Sequence, residues 1–398
     1  MKSVAEAAIF THVRADTSGA ERARRWRRAA VAARISGMEV HGRAEGPFAP
    51  VREVFTDVLA EQPGSGAALA LWHDGAWVVD LWGGYADAVH SRPWRRDTLV
   101  MPYSVTKPFA AVAVLTLVDR GLVELDAPMQ RYWPELRAEA TVRDVLSHRA
   151  GVVAIDEAAP EEAFYDWELM CSLLARQEPV WPPGTAQGES ALFMGHLLGE
   201  VVRRVDGRSL GRFLREEVCG PNDLDFHVGL GDAELSRVAE LTGFDDDFRR
   251  AQAAAEESEL YRRAVSNPPG VRDPRVVNGE RWRRAEVPAV NGHGTARAVA
   301  GFFLALAHGR LLGPGLTAEV HRGRGVEPER VMGGEGQWGL GVGVDDDGYG
   351  MGGLGGHVGW WSSAGEYAMG YVSGSLGGFE PVEALETVVR DVLGLPPL

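Results

Sequence analysis

Met101-Pro102-Tyr103-Ser104-Val105-Thr106-Lys107-Pro108-Phe109-Ala110 is the stretch on which the reading of this chain turns. A polar, turn-forming run (Arg95-Arg96-Asp97-Thr98) precedes it, and a long apolar helix former, Ala110 to Val118, follows. That setting puts Ser104 in the first turn of a buried helix, with Lys107 one turn later on the same face. A serine hydroxyl is a poor nucleophile until a neighbour takes its proton. A lysine three residues on, held in an apolar pocket and biased toward its neutral form, can take it. The helix start also leaves backbone N–H groups free, and the one at the nucleophile can stabilise a developing oxyanion.

A serine and a lysine three apart form a weak pattern by themselves. Composition strengthens it, because Lys2 and Lys107 are the only lysines and every other basic residue, histidine aside, is arginine. Arginine stays charged at any accessible pH and cannot accept a proton. The competing reading is a surface lysine at a helix start, a place where this chain would use arginine.

The 398 residues suffice for one large domain or two intimately built ones, and 45% hydrophobic with 24% charged residues is ordinary for a globular protein. A formal charge of −15 argues against a nucleic-acid partner. Cys171 and Cys219 match no metal-ligand spacing and read as a reduced pair. No metal or other cofactor is called for. No apolar run is long enough to cross a bilayer, and Val4 to Phe10, interrupted by Glu6, makes no secretory signal, so the expectation is a cytoplasmic protein. Fifty glycines and 22 prolines exclude a plain helical bundle.

Residues 1–37 read as an Arg- and Ala-rich extension, and 38–398 as the main domain. Pro47 to Ala60 carries apolar residues at helical spacing. Ala67 to Trp72 and Trp77 to Trp82, separated by His73-Asp74-Gly75-Ala76, predict a hairpin. The nucleophile helix ends at Arg120-Gly121. Thr141 with Asp144 marks a helix entry that leads to Ser147-His148, where the histidine invites a catalytic reading but reads first as a packed C-terminal residue suited to the helix dipole. Residues from about 125 to 290 are mainly helical. Strands return at Trp338 to Val344, Tyr349 to Met351 and Tyr367 to Val372. Strands at both chain ends with helices between them imply one sheet closed by the two termini, an α+β fold with a mostly helical inserted subdomain.

At this point the residues carry a resemblance to the serine β-lactamase and penicillin-binding-protein superfamily, in its class C-like branch that includes β-lactamase-fold esterases. It covers about Met38 to the C-terminus. It rests on Leu81-Trp82-Gly83-Gly84, Ser104-Val105-Thr106-Lys107 and Asp144 through Gly151, then on Trp181-Pro182-Pro183-Gly184-Thr185, Asn291 through Ala296, and Gly356-His357-Val358-Gly359. The resemblance implies a β-lactamase/DD-peptidase-like fold, Ser104 as the acylated nucleophile and Lys107 as its proton-transfer partner. It also implies that His357-Val358-Gly359 is the strand lining one wall of the site, with the N–H of Trp360 as second oxyanion donor beside that of Ser104. Tyr103, Trp181, Trp360 and Trp361, near these motifs, suggest an apolar or flat-ringed substrate.

One element departs from the pattern. Where this branch places a tyrosine after the Pro-Gly-Thr loop, the chain reads Gly184-Thr185-Ala186-Gln187-Gly188-Glu189-Ser190. Glu189 can be a working base, or a substrate contact beside a self-sufficient Lys107, or a sign that only a pocket survives. The expectation is a serine acyl-transfer enzyme acting on a small ester or amide, the acyl group passing to water, or to an amine or alcohol as in transacylases of natural-product biosynthesis. The rival is a non-catalytic ligand-binding protein on the same scaffold. The oligomeric state is left open by these residues.

Overall fold

A computed structural model describes residues 39–62 and 64–397; the basic segment 1–37 lies outside the described residues. Strand β1 (Val40–Ala44), helix α1 (Ala49–Ala60), β2 (Gly66–His73) and β3 (Ala76–Gly84) open the fold. The β2–β3 turn is Asp74-Gly75, with φ of 46° and 79°. Two successive positive φ values define the type I′ hairpin turn that Asp-Gly favours.

The chain then leaves the sheet for helix α2 (Thr106–Asp119), α3 (Val142–Leu146), α4 (Met194–Asp206) and α5 (Ala296–Ala307), with further helices between them. Helix α2 is buried on every side from Thr106 to Leu117, as a helix without a polar face must be. Thr141 and Asp144 cap α3 reciprocally: Thr141 N–H donates to Asp144 Oδ2 at 2.9 Å, and Asp144 N–H to Thr141 Oγ1 at 3.1 Å.

The chain returns as β4 (Glu327–Pro328), β5 (Glu335–Trp338), β6 (Gly343–Val344), β7 (Gly348–Gly353), β8 (His357–Ser362) and β9 (Tyr367–Ser373), and closes with α6 (Glu380–Leu393). The two ends meet where β2 pairs antiparallel with β9, from Ala67 opposite Ser373 to His73 opposite Tyr367. On one side of that junction lie β3 and β1, on the other β8, β7, β6, β5 and β4 in turn. The stretch Trp338 to Val344, expected as one strand, breaks into β5 and β6. Gly341, at φ 82°, turns there and gives its N–H to Leu146 O at 2.7 Å.

Strand alternation separates two cores. Ala67, Leu69 and Leu71 of β2 join Val358, Trp360, Met369 and Tyr371 against α1 and α6. Ala68, Ala70, Trp361, Ala368 and Val372 face the opposite layer, where α2, α4 and α5 pack. Helix α5 lies close on this face because two strand glycines make room. A Cβ at Gly370 would stand 2.4 Å from Ala296 O, and one at Gly359 would stand 2.4 Å from the Phe303 ring. The architecture is α+β, an antiparallel sheet flanked by helices. Among the described residues no helix is long and apolar enough to cross a membrane, and Cys171 and Cys219 are buried and unpaired.

Candidate active site

Ser104 lies in a single 3₁₀ turn, Tyr103–Val105, that leads into α2. Tyr103 adopts φ 44°, a left-handed conformation costing a bulky residue of order 1–3 kcal/mol unless its surroundings hold it. They do: its ring is buried and its Oη donates to Val271 O at 3.3 Å. Thr106 ties the same turn to the 291–293 loop, donating from Oγ1 to Tyr103 O at 2.6 Å and accepting Gly292 N–H at 3.0 Å.

Lys107 Nζ lies 2.7 Å from Ser104 Oγ, 2.8 Å from Glu189 Oε1 and 3.3 Å from Ala289 O. Ser104 Oγ is itself 3.3 Å from Glu189 Oε1. Serine, lysine and glutamate thus close a triangle, with the lysine side chain wholly inaccessible (0%) and the glutamate side chain nearly so (11%).

Burial pulls the Lys107 ammonium below its ordinary value, and the Glu189 carboxylate opposes that. Burial pushes Glu189 up, but the Lys107 charge and the bonds from Lys107 and Ser104 outweigh it and hold the carboxyl below its usual range. The two directions are those of an ion pair, in which the Lys107 charge holds Glu189 ionised against the burial of both. Two proton placements satisfy every partner. An ammonium donates its three hydrogens to Ser104 Oγ, Glu189 and Ala289 O; a neutral amine donates two and accepts the serine proton across the 2.7 Å contact. While Glu189 is ionised the lysine keeps its proton, because a neutral amine would leave that carboxylate buried and uncompensated; the amine becomes neutral only if Glu189 takes the proton.

Glu189 is held by its own loop. Three consecutive N–H groups have acceptors outside it: Gly188 donates to His148 O at 3.0 Å, Glu189 to the Glu329 carboxylate, and Ser190 to His148 Nδ1 at 3.1 Å. Ser190 Oγ donates to Val152 O at 2.7 Å. His148, at φ 57°, is buried, and burial lowers its pKa to about 3. It is therefore neutral, with Nδ1 free to accept. Its sequence reading as a packed helix end missed that it carries this loop. Glu329 carried no sequence signal at all, its partner lying 140 residues away.

The wall of the site differs from the sequence expectation. Strand β8 is interior: its residues pair with β7 on one side and β9 on the other, and Trp360 faces both Gly350 and Met369. The Trp360 N–H is therefore committed to the sheet, and its ring, wholly buried, packs on the α1–α6 side. Gly359 meets α5, and Trp361 packs against Trp72 and His308, with ring centroids 6.4 and 5.6 Å away. His357 is buried behind Tyr103, ring centroids 6.4 Å apart, and its Nδ1 accepts Ser373 N–H at 3.3 Å. These four residues do not join Ser104, Lys107 and Glu189.

Strand β7 stands next to Ser104 instead. A Cβ at Gly353 would lie 2.1 Å from Pro102 O. Strand β6 pairs with β7 only at Gly350 and Tyr349, so beyond Gly350 that edge of β7 has no strand beside it. A tyrosine also approaches from a distant segment. Tyr261, on the helix Glu259–Ser266, is buried, donates to Gln252 Oε1 and lies within reach of the Glu189 charge. Among the described residues no cluster of His, Cys, Asp and Glu could hold a metal ion.

Comparison with known proteins places this geometry in a family. The beta-lactamase family model matches residues 51–394. Esterase/beta-lactamase LipL of Mycobacterium tuberculosis is 34% identical over 350 residues, 82% of this chain and 80% of that protein. A family VIII carboxylesterase crystal structure superposes with a TM-score of 0.80 at 34% identity, covering 89% of this chain and all of the other. A penicillin-binding-protein homologue from Caulobacter crescentus gives 0.79 at 31% identity, with 89% of this chain and all of the other covered. The chain belongs to the beta-lactamase family and is a serine hydrolase of that fold.

Proposed function

We propose that the protein forms an acyl-enzyme on Ser104 from a small ester or amide, and passes the acyl group to water or to an amine or alcohol. The observation that carries this reading is the triangle of Ser104 Oγ, Lys107 Nζ and Glu189 Oε1, with edges of 2.7, 2.8 and 3.3 Å. The family VIII carboxylesterase and LipL add an ester as the first substrate class to try.

In the proposed sequence Lys107 first hands a proton to Glu189 across their 2.8 Å contact. The neutral amine then takes the Ser104 proton as Oγ bonds to the carbonyl carbon. Negative charge collects on the carbonyl oxygen. The Ser104 N–H at the helix start and an N–H from the open β7 edge at Gly352–Leu354 would receive it. As the tetrahedral intermediate collapses, Glu189 returns its proton to the leaving alcohol or amine, which leaves Glu189 ionised and Lys107 charged. The ionised carboxylate is then set to take a proton from the incoming acceptor, water or another nucleophile; as the second intermediate collapses Ser104 recovers its hydrogen from the Lys107 ammonium, and Glu189 returns its proton to Lys107.

A carboxylate is a weaker base than the tyrosinate this family position usually offers, so activation of water is the slower half. A longer-lived acyl-enzyme gives an amine or alcohol time to compete with water. The test is turnover of p-nitrophenyl butyrate with and without an added primary amine. Nitrophenol release that vanishes in Ser104→Ala, with part of the butyryl group recovered as amide, is the expected result. No release above the Ser104→Ala background would refute esterase-type acyl transfer.

A further inference from the structure

Glu329 is a buried carboxylate (3% exposed) on the loop between β4 and β5, outside every motif read from the sequence. All its bonds are to backbone donors. Oε1 accepts Glu189 N–H; Oε2 accepts Val331 N–H at 3.0 Å, Gly333 N–H at 3.1 Å and Met332 N–H. The first bond ties it to the active site, and the other three fold residues 331–333 around it. Four N–H donors converge on its two oxygens and favour the anion, against burial and the Glu189 charge, which push the group up to about 8.

The contact is reinforced along the loop. Arg330 N–H donates to Gln187 O at 3.1 Å, and Gln187 Nε2 donates to Glu327 O at 2.9 Å and Gly336 O at 2.6 Å. The β4–β5 hairpin thus grips residues 187 and 189 from one side, while His148 holds 188 and 190 from the other. Such a grip serves Glu189 in particular, because Lys107 already sits on a rigid helix and a carboxylate on a loop otherwise has no fixed direction.

We infer that Glu329 is a positioning residue for the proposed proton carrier Glu189: its carboxylate fixes the Glu189 backbone and so keeps Oε1 in reach of both Lys107 and Ser104. This rests on the reading of Glu189 given above. It also assigns the β4–β5 hairpin a part in catalysis, although the hairpin stands at the far edge of the sheet.

The test is a double-mutant cycle on p-nitrophenyl butyrate, with kcat expressed per site titrated by a fluorophosphonate so that any misfolded fraction drops out. Glu329→Gln keeps the shape but supplies only one acceptor oxygen. It should lower kcat about 10- to 100-fold, less than the 10²–10⁴-fold of an acid–base group lost outright, with KM changed less than threefold. In the Glu189→Gln background the same change should cost less than twofold, since the residue it serves is already disabled. Glu329→Asp, which keeps the charge but draws it back by one methylene, should fall between wild type and Glu329→Gln.

An unchanged kcat per titrated site in Glu329→Gln, or a loss of equal size in both backgrounds, overturns the positioning role while leaving Glu189 as proton carrier. If Glu329→Gln yields too little folded protein, Glu329→Asp decides by the same criterion: no kcat loss per site, or an additive one, overturns the inference. A silent Glu189→Gln would instead defeat the reading on which the inference stands, and the inference with it.

Discussion

Glu189 Oε1 lies 2.8 Å from Lys107 Nζ in a pair whose lysine is wholly buried. Two charges taken out of water together are worth having only if the geometry is tight and the remaining hydrogens have acceptors. Here Ser104 Oγ and Ala289 O supply them. In the proposed mechanism the pair is both a structural contact and, through Glu189, what frees the Lys107 amine to take the Ser104 proton.

Replacing Lys107 by arginine retains the charge and removes the group that can accept a proton. Lys107→Arg should lose about 10²–10⁴-fold in kcat/KM on an activated ester, the scale of a lost acid–base group. Near-full activity would show that Lys107 only balances charge.

At Glu189 the isosteric change and the family-like change should part ways. Glu189→Gln should lower turnover by about two orders of magnitude or more. Glu189→Tyr should raise hydrolysis of the activated ester relative to transfer onto an amine. A variant in which the amide-to-acid product ratio rises instead would contradict the link between this residue and the fate of the acyl group.

Gly359 separates a packing role from a substrate role. A methyl there would stand 2.4 Å from the Phe303 ring and 2.7 Å from Val299. Gly359→Ala should therefore cost about 1–3 kcal/mol of stability, the usual range for overpacking. Activity per titrated site should remain, because α5 and not the site receives the new group. Chemical denaturation and ester turnover on the same preparation decide between the two.

The buried histidines set an acid limit. His148, His293 and His357 are each lowered from 6.5 to about 3, first of all by burial. Below pH 6.5 the unfolded chain binds protons that the folded one refuses, so stability falls as pH drops from about 6.5 toward 3. Each such histidine contributes a slope of up to about 1.4 kcal/mol per pH unit across that window. His357→Asn, which keeps an acceptor for Ser373 N–H, should flatten the slope of denaturation free energy against pH. An unchanged slope would mean that His357 is not held neutral.

Much of this site is local in sequence, and that part could be read there. Ser104 and Lys107 are one turn apart, and Glu189 follows a Pro-Gly-Thr loop at a recognisable distance. The wall could not be read in the same way. Gly352-Gly353 and His357-Val358-Gly359 stand on the two arms of one hairpin, both glycine-rich and both buried. Alternation alone does not say which arm has an open edge. That follows from the shortness of β6, which ends its pairing at Gly350. The loop contacts of His148 and Glu329 escaped for another reason: they are made to backbone N–H groups 42 and 140 residues away, and no local pattern encodes such a contact. The capped helix at Thr141 and the Asp74-Gly75 hairpin, fixed by neighbours in sequence, were fully legible.

The central claim is that Ser104 carries the acyl group. It is tested most directly by intact-protein mass spectrometry of enzyme quenched in acid during turnover of p-nitrophenyl butyrate, followed by peptide mapping. One butyryl group per chain, located on Ser104 and missing from Ser104→Ala, is the predicted result. A chain that releases nitrophenol with no adduct, or with the adduct on another residue, would contradict it.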